Sequence, residues 1–209
     1  VLIKTLRDIK AAKTIRAIID IMLSTSYVPS SLREGKTVLI HKGGDVNSTA
    51  NWRPITIYSV VRRIIERVLD KFLRQQLSLN CHQRGFVNTP GCHVNAKIID
   101  AVLRDSKSNR GDATVIFLDV SKAFDRIGHQ HIANSLQAYG VSANLRKLIV
   151  SLLTSNTIRI DLGKDRSQPI KIGKSVPQGG PLSPMLFNLA IDFIYREVCE
   201  TSFANCHGY

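Results

Sequence analysis

The chain has 209 residues, 44% of them apolar and 6% aromatic, which suits a folded domain with a buried core and excludes a disordered segment. Its 29 Lys and Arg exceed its 16 Asp and Glu to give a net charge of +13, so a polyanionic partner is expected. No apolar run is long enough to cross a bilayer, the N-terminus has no secretory pattern, and four cysteines in a chain this long make no disulfide framework.

The charge is unevenly spread. Residues 1–110 hold 19 Lys and Arg against 8 Asp and Glu, whereas residues 111–209 hold 10 against 8. This predicts a basic region over 1–110 that grips a polyanion and a nearly neutral region over 111–209 that carries the core. The opening VLIKTLRDIK reads as the middle of a helix and the closing NCHGY completes no element, as expected of a piece of a longer polypeptide. Cys81-His82 and Cys92-His93 lack the short C-x-x-C spacing of a zinc knuckle, so reduced thiols in an intracellular protein are expected instead.

In chain order, Leu2, Leu6, Ile9, Ile15, Ile18, Ile19, Met22 and Leu23 recur at helical spacing up to a break at Pro29. Thr37 to Ile40 reads as a short strand. The turn His41 to Asp45 then presents Lys42 at a hairpin tip, free to meet a phosphate. Pro54, within Asn51-Trp52-Arg53-Pro54-Ile55, predicts an extended segment ahead of a helix from about Ser59 to Leu79. That helix places Val60, Val61, Ile64, Ile65, Val68, Leu69, Phe72 and Leu73 on one face, with Arg62, Arg63, Arg67, Lys71 and Arg74 on a solvated one. The loop His82 to Phe86 precedes a helix after Pro90-Gly91 that carries Val94, Ile98, Ile99, Val102 and Leu103.

Thr114 to Asp125, TVIFLDVSKAFD, is the stretch the chain is organised around. The run Val115-Ile116-Phe117-Leu118 predicts a strand buried on both faces and ending at Asp119. A carboxylate at such a strand end suits either a metal-binding catalytic acid or a cap of the following turn. Further on come a helix over His129 to Tyr139 closed by Gly140, and another N-capped by Ser142. Thr157 to Leu162 and Gln168 to Lys174 form a predicted hairpin. Val176-Pro177-Gln178-Gly179-Gly180-Pro181-Leu182-Ser183-Pro184 is then a fixed loop that lets a planar group approach its backbone, ahead of an apolar helix from Met185 to about Val198.

Four segments in register resemble one family: TVLIHKGGD with NWRPI, HQRGF with PGCHVN, FLDVSKAFD, and VPQGGPLSPMLFNLAID. Together they are similar to the fingers and early palm of reverse transcriptases of non-long-terminal-repeat retrotransposons, above all those that insert into ribosomal RNA genes. The resemblance implies an α+β fold, the right-hand polymerase fingers with part of the palm, ending before the second metal-binding motif. It implies RNA-directed DNA synthesis by two Mg²⁺ ions, with an RNA template, a DNA primer cut from target DNA, and dNTPs, in the nucleus and away from membranes. The parent polyprotein would also carry an endonuclease.

By the same resemblance Asp119 is the catalytic acid that binds both metals, and Val120 lends its carbonyl to one of them. Lys42 and Arg53 grip the triphosphate. Phe124 packs under the incoming sugar and rejects a 2′-hydroxyl, Gln178 and Gly179 pack on the nascent base pair, and Gln83, Gly85 and Phe86 lie along the template. Asp125 is expected to cap the next helix. Most relatives have an acid where this chain has Gly180, and the second acidic motif, Ala-Asp-Asp, is absent from the 209 residues, which are expected to be inactive alone. A non-catalytic nucleic-acid-binding remnant and an intron maturase are the competing functions.

Overall fold

The computed structural model describes residues 9–163 and 165–200. The first predicted helix is therefore seen as α1, Ile9–Thr25, and its residues 1–8 lie outside the described residues. The chain continues through a short 3-10 turn to β1, Glu34–His41, and β2, Trp52–Tyr58, which pair antiparallel from Gly35 with Tyr58 to His41 with Trp52. Pro54 sits on β2, an edge strand, where its missing N–H costs no rung of the ladder.

Helices α2, Val60–Gln76, and α3, Gly91–Ser108, follow. After residues 111–120, which form no helix or strand, come a one-turn helix α4, Ala123–Arg126, then α5, His129–Ala138, and α6, Ala143–Leu153. The hairpin β3, Asn156–Ile160, and β4, Ile170–Ile172, leads into α7, Ser183–Glu200. The sheet order is β2-β1-β3-β4, with β3 parallel to β1, so two strands come from each side of residue 110.

The core lies among α1, α2, α5, α6 and α7. Ile65, Leu69 and Leu73 of α2 meet Leu148, Ile149 and Leu152 of α6 and Met185, Leu186 and Leu189 of α7 in one buried cluster. No helix among the described residues is long and apolar enough to cross a membrane.

Three sequence expectations are corrected here. Thr114 to Asp119 is not a buried strand: Ile116, Phe117 and Leu118 are 76%, 80% and 88% exposed, and no described strand pairs with them. An apolar run becomes a buried strand only where other strands satisfy its backbone and other layers cover it, and the described residues supply neither. The second correction is Arg62, expected on the solvated face of α2 but fully buried. Its guanidinium donates to Glu66 Oε1 at 2.7 Å, to the Leu32 and Leu152 carbonyls at 2.8 Å each and to Asn156 Oδ1 at 3.0 Å, and it lies 3.5 Å above the Tyr58 ring. A planar five-donor group can be desolvated when it is satisfied this fully. The other half of the exchange is Val60, Val61, Val68 and Phe72, which are exposed. The third is Ser142, which stands at the N-cap position of α6 but makes no capping hydrogen bond through its hydroxyl.

Candidate active site

Lys122 adopts a left-handed backbone, φ 52°, that turns the chain from the exposed segment 111–120 into α4. Two main-chain bonds then zip α4 to the glycine loop: Ser175 N–H donates to Ile127 O at 2.9 Å and Val176 N–H to Phe124 O at 3.0 Å. Phe124 and Gln178 are thereby brought together across 54 residues of sequence. The loop is held from its other side by β2. Thr56 N–H donates to the Gln178 carbonyl at 2.8 Å, and a Cβ on Gly179, whose φ is +110°, would lie 2.8 Å from Thr56 O and 3.2 Å from Ile55 Cγ2. Only glycine lets the loop lie this close to the strand. Arg53 is exposed two residues before Ile55 on the same face of β2, about 7 Å along the strand.

Phe86, Ala123, Phe124, Gln178, Gly179, Gly180, Ser183 and Pro184 line one cavity of about 370 Å³. Its aromatic wall is Phe86 and Phe124, and Phe187 backs Phe124 from behind. Phe124 stacks on Phe187 with centroids 4.8 Å apart and planes 5° off parallel, and Phe86 meets Phe124 edge-on at 5.8 Å. Phe86 is held at φ 53°, with its carbonyl bound by Arg74 at 2.8 Å.

The loop that delivers Phe86 is anchored on α7. Asn188 Nδ2 donates to Gly85 O at 2.6 Å, and Asp192 Oδ1 accepts Asn80 N–H at 2.8 Å. Asn188 and Asp192 are one helical turn apart, so a single buried face of α7 holds both ends of the loop. Asp192 also accepts from the Tyr139 hydroxyl and from Arg196 Nε at 2.8 Å. Burial first, and then the bond to Asp192, pushes the Tyr139 phenol up to about 12. Gln83 is buried, and its Oε1 accepts Gly85 N–H at 3.0 Å, so this side chain shapes its own loop.

The structure thus gathers Phe86, Phe124, Gln178 and Gly179 around one cavity and puts Arg53 on the strand beside it. Lys42 is exposed at the end of the β1–β2 hairpin, with its Nζ 3.4 Å from Ala50 O. Asp119 and Val120 are exposed at the end of the segment 111–120, outside any helix or strand. Asp125 does not cap the next helix: α5 starts after Gly128 with no side-chain cap, and Asp125 Oδ1 accepts from Gln178 Nε2 at 3.1 Å. Asn188 and Asp192 were missed as loop anchors, although a polar residue within the apolar LFNLAID was a visible signal. Phe187 gave none, because nothing in the sequence separates it from its core neighbours.

Among the described residues no group of three or more His, Cys, Asp and Glu is placed to hold a metal ion. Asp119 offers one carboxylate, a hard oxygen ligand suited to Mg²⁺, but alone it does not make up a two-ion site.

The profile of the reverse transcriptase (RNA-dependent DNA polymerase) family matches residues 40–209. The chain is 34% identical over 189 residues to the Pol polyprotein of the type-1 retrotransposable element R2 of Popillia japonica, and 33% identical over 193 residues to that of the type-2 element R2DM of Drosophila melanogaster. These alignments take in 90% and 92% of this chain but only 27% and 18% of those polyproteins. Apo telomerase from Candida tropicalis has the same fold over 91% of this chain and 45% of its own, with a TM-score of 0.51 at 12% identity. The chain belongs to the reverse transcriptase family.

Proposed function

We propose that this chain is the nucleotide-facing portion of an RNA-directed DNA polymerase encoded by a non-long-terminal-repeat retrotransposon, acting in target-primed reverse transcription in the nucleus. The observation that carries this reading is the convergence of Phe124 and the Gln178–Gly179 loop on one cavity beside the strand that bears Arg53. A flat aromatic wall opposite a close-packed glycine backbone makes a slot for a planar base pair and its sugar. The Arg53 fork and the mobile ammonium of Lys42 suit the phosphates of an incoming dNTP. The Phe124 ring leaves no room for a 2′-oxygen, which selects DNA precursors. Gln83, Gly85 and Phe86 set the edge along which the RNA template runs.

Reverse transcriptases as a family depend on divalent metal ions. In the full-length polypeptide Asp119 would contribute one carboxylate to such a site, with Mg²⁺ as the ion and Val120 as a carbonyl donor. One carboxylate does not hold two ions, so this site would need further acids beside Asp119. The bound metal supplies the electrophilic chemistry, while the residues of this chain bind, orient and select the nucleotide.

The test is primer extension on an RNA template with Mg²⁺ and dNTPs. The full-length polypeptide is expected to extend the primer, its Asp119→Asn variant to be inactive, and residues 1–209 alone to be inactive. Robust extension by residues 1–209 would place the active site elsewhere.

A further inference from the structure

Gln178 has a partner with only one chemical polarity. Its Nε2 lies 3.1 Å from Asp125 Oδ1, and an ionised carboxylate accepts hydrogen bonds but donates none. The carboxamide must therefore turn its nitrogen towards Asp125, because the flipped amide would set oxygen against oxygen. Both ends of this contact are fixed. The Gln178 carbonyl is pinned by Thr56 N–H at 2.8 Å, and Asp125 sits in α4 with its own N–H on Lys122 O at 3.0 Å. As a mere tie between α4 and the glycine loop the contact would be redundant, because Ser175 N–H to Ile127 O and Val176 N–H to Phe124 O already join them. What those main-chain bonds leave open is the orientation of the amide.

We propose that Asp125 is a positioning residue for Gln178: by taking an amide N–H it turns the carboxamide oxygen into the Phe124 cavity as an acceptor for a donor group on the nucleotide. This rests on the reading that Gln178 meets the incoming nucleotide. The donor class follows from the chemistry, since an acceptor in a slot for sugar and base pairs with a sugar hydroxyl or an amino group on a base edge. Asp125 itself never touches the substrate.

The experiment uses the ¹⁵N-labelled 209-residue chain, with the Gln178 side-chain amide resonances assigned by their loss in Gln178→Glu. In the wild-type chain one amide proton is expected to be displaced and slow to exchange, and dATP is expected to shift the pair. Asp125→Ala should return the pair to solvent-like positions and raise the dATP dissociation constant by about three- to tenfold, the loss of one neutral hydrogen bond to the misoriented amide oxygen. The melting temperature should barely change. Asp125→Asn keeps the shape, so it should fold like the wild type yet lose the fixed orientation. Unchanged Gln178 resonances in both variants would overturn the pairing and leave the nucleotide reading intact. Changed resonances with unchanged dATP affinity would overturn the positioning role. If dATP does not move Gln178 in the wild-type chain, the nucleotide reading fails, and the acceptor role fails with it.

Discussion

Thr56 donates its backbone N–H to the carbonyl of Gln178 at 2.8 Å, so the glycine loop adds one rung to the edge strand β2. The contact tolerates no side chain at residue 179. Gly179→Ala imposes both a left-handed backbone and a Cβ 2.8 Å from Thr56 O, and the backbone cost alone is about 1–2 kcal/mol. We expect a loss of about 2–3 kcal/mol in denaturant melts, with Lys174→Ala near zero as an exposed control.

Arg62 links β2, α2, α6 and β3, and it leaves Glu66 as its buried ionic partner. Arg62→Ala strands that carboxylate and should cost about 3–5 kcal/mol. Arg62→Met with Glu66→Leu removes both charges and should recover much of the loss. Arg63→Ala, one residue along on the exposed face, should shift stability by less than about 0.5 kcal/mol. Equal effects at 62 and 63 would contradict the buried hub.

The exposed segment 111–120 gives the opposite contrast. Leu118→Ala in the 209-residue chain should change stability by less than about 0.5 kcal/mol because the side chain is 88% exposed. Leu148→Ala, fully buried in α6, should cost about 2–5 kcal/mol. A large loss at Leu118 would mean that this segment is covered after all.

Much of this was legible beforehand because local chemistry decided it. The β1–β2 hairpin around Lys42, the helix starting after Ser59 and the β3–β4 hairpin all follow from turn residues and periodicity. Ser59 does cap α2, its hydroxyl accepting Arg62 N–H at 3.3 Å. What was not legible depends on partners distant in sequence. The run Val115 to Leu118 has the composition of a buried strand, but composition does not supply the cover. The burial of Arg62 requires carbonyls from Leu32 and Leu152, and Asp125 meets Gln178 only after α4 and the glycine loop have zipped together. Phe124 and Gln178 could be singled out as motif residues, but their shared cavity is a product of the fold.

The Tyr139–Asp192 anchor makes stability depend on pH in the alkaline range. The folded phenol keeps its proton up to about 12, whereas the free side chain loses it at 10.0, so the folded state binds more protons between those values. The contribution is complete below pH 10 and declines as pH rises from about 10 to 12. Tyr58, also raised by burial, adds to the same decline. Urea melts across pH 9–12 should show falling stability, and Tyr139→Phe should make the fall shallower. An unchanged slope in the variant would separate Tyr139 from the effect.

The most direct test of the proposed nucleotide site is sugar selection at Phe124. In the full-length polypeptide, extension of a DNA primer on an RNA template is measured with dNTPs and with rNTPs, for the parent and for Phe124→Val. Removing the ring opens the space where a 2′-hydroxyl would stand, so the variant should use ribonucleotides at least about tenfold better relative to deoxynucleotides, a change of about 1.4 kcal/mol in discrimination. Arg53→Ala should weaken use of both sugars alike. If Phe124→Val discriminates as the parent does, Phe124 serves only to stack on Phe187, and the cavity it lines is not where the sugar binds.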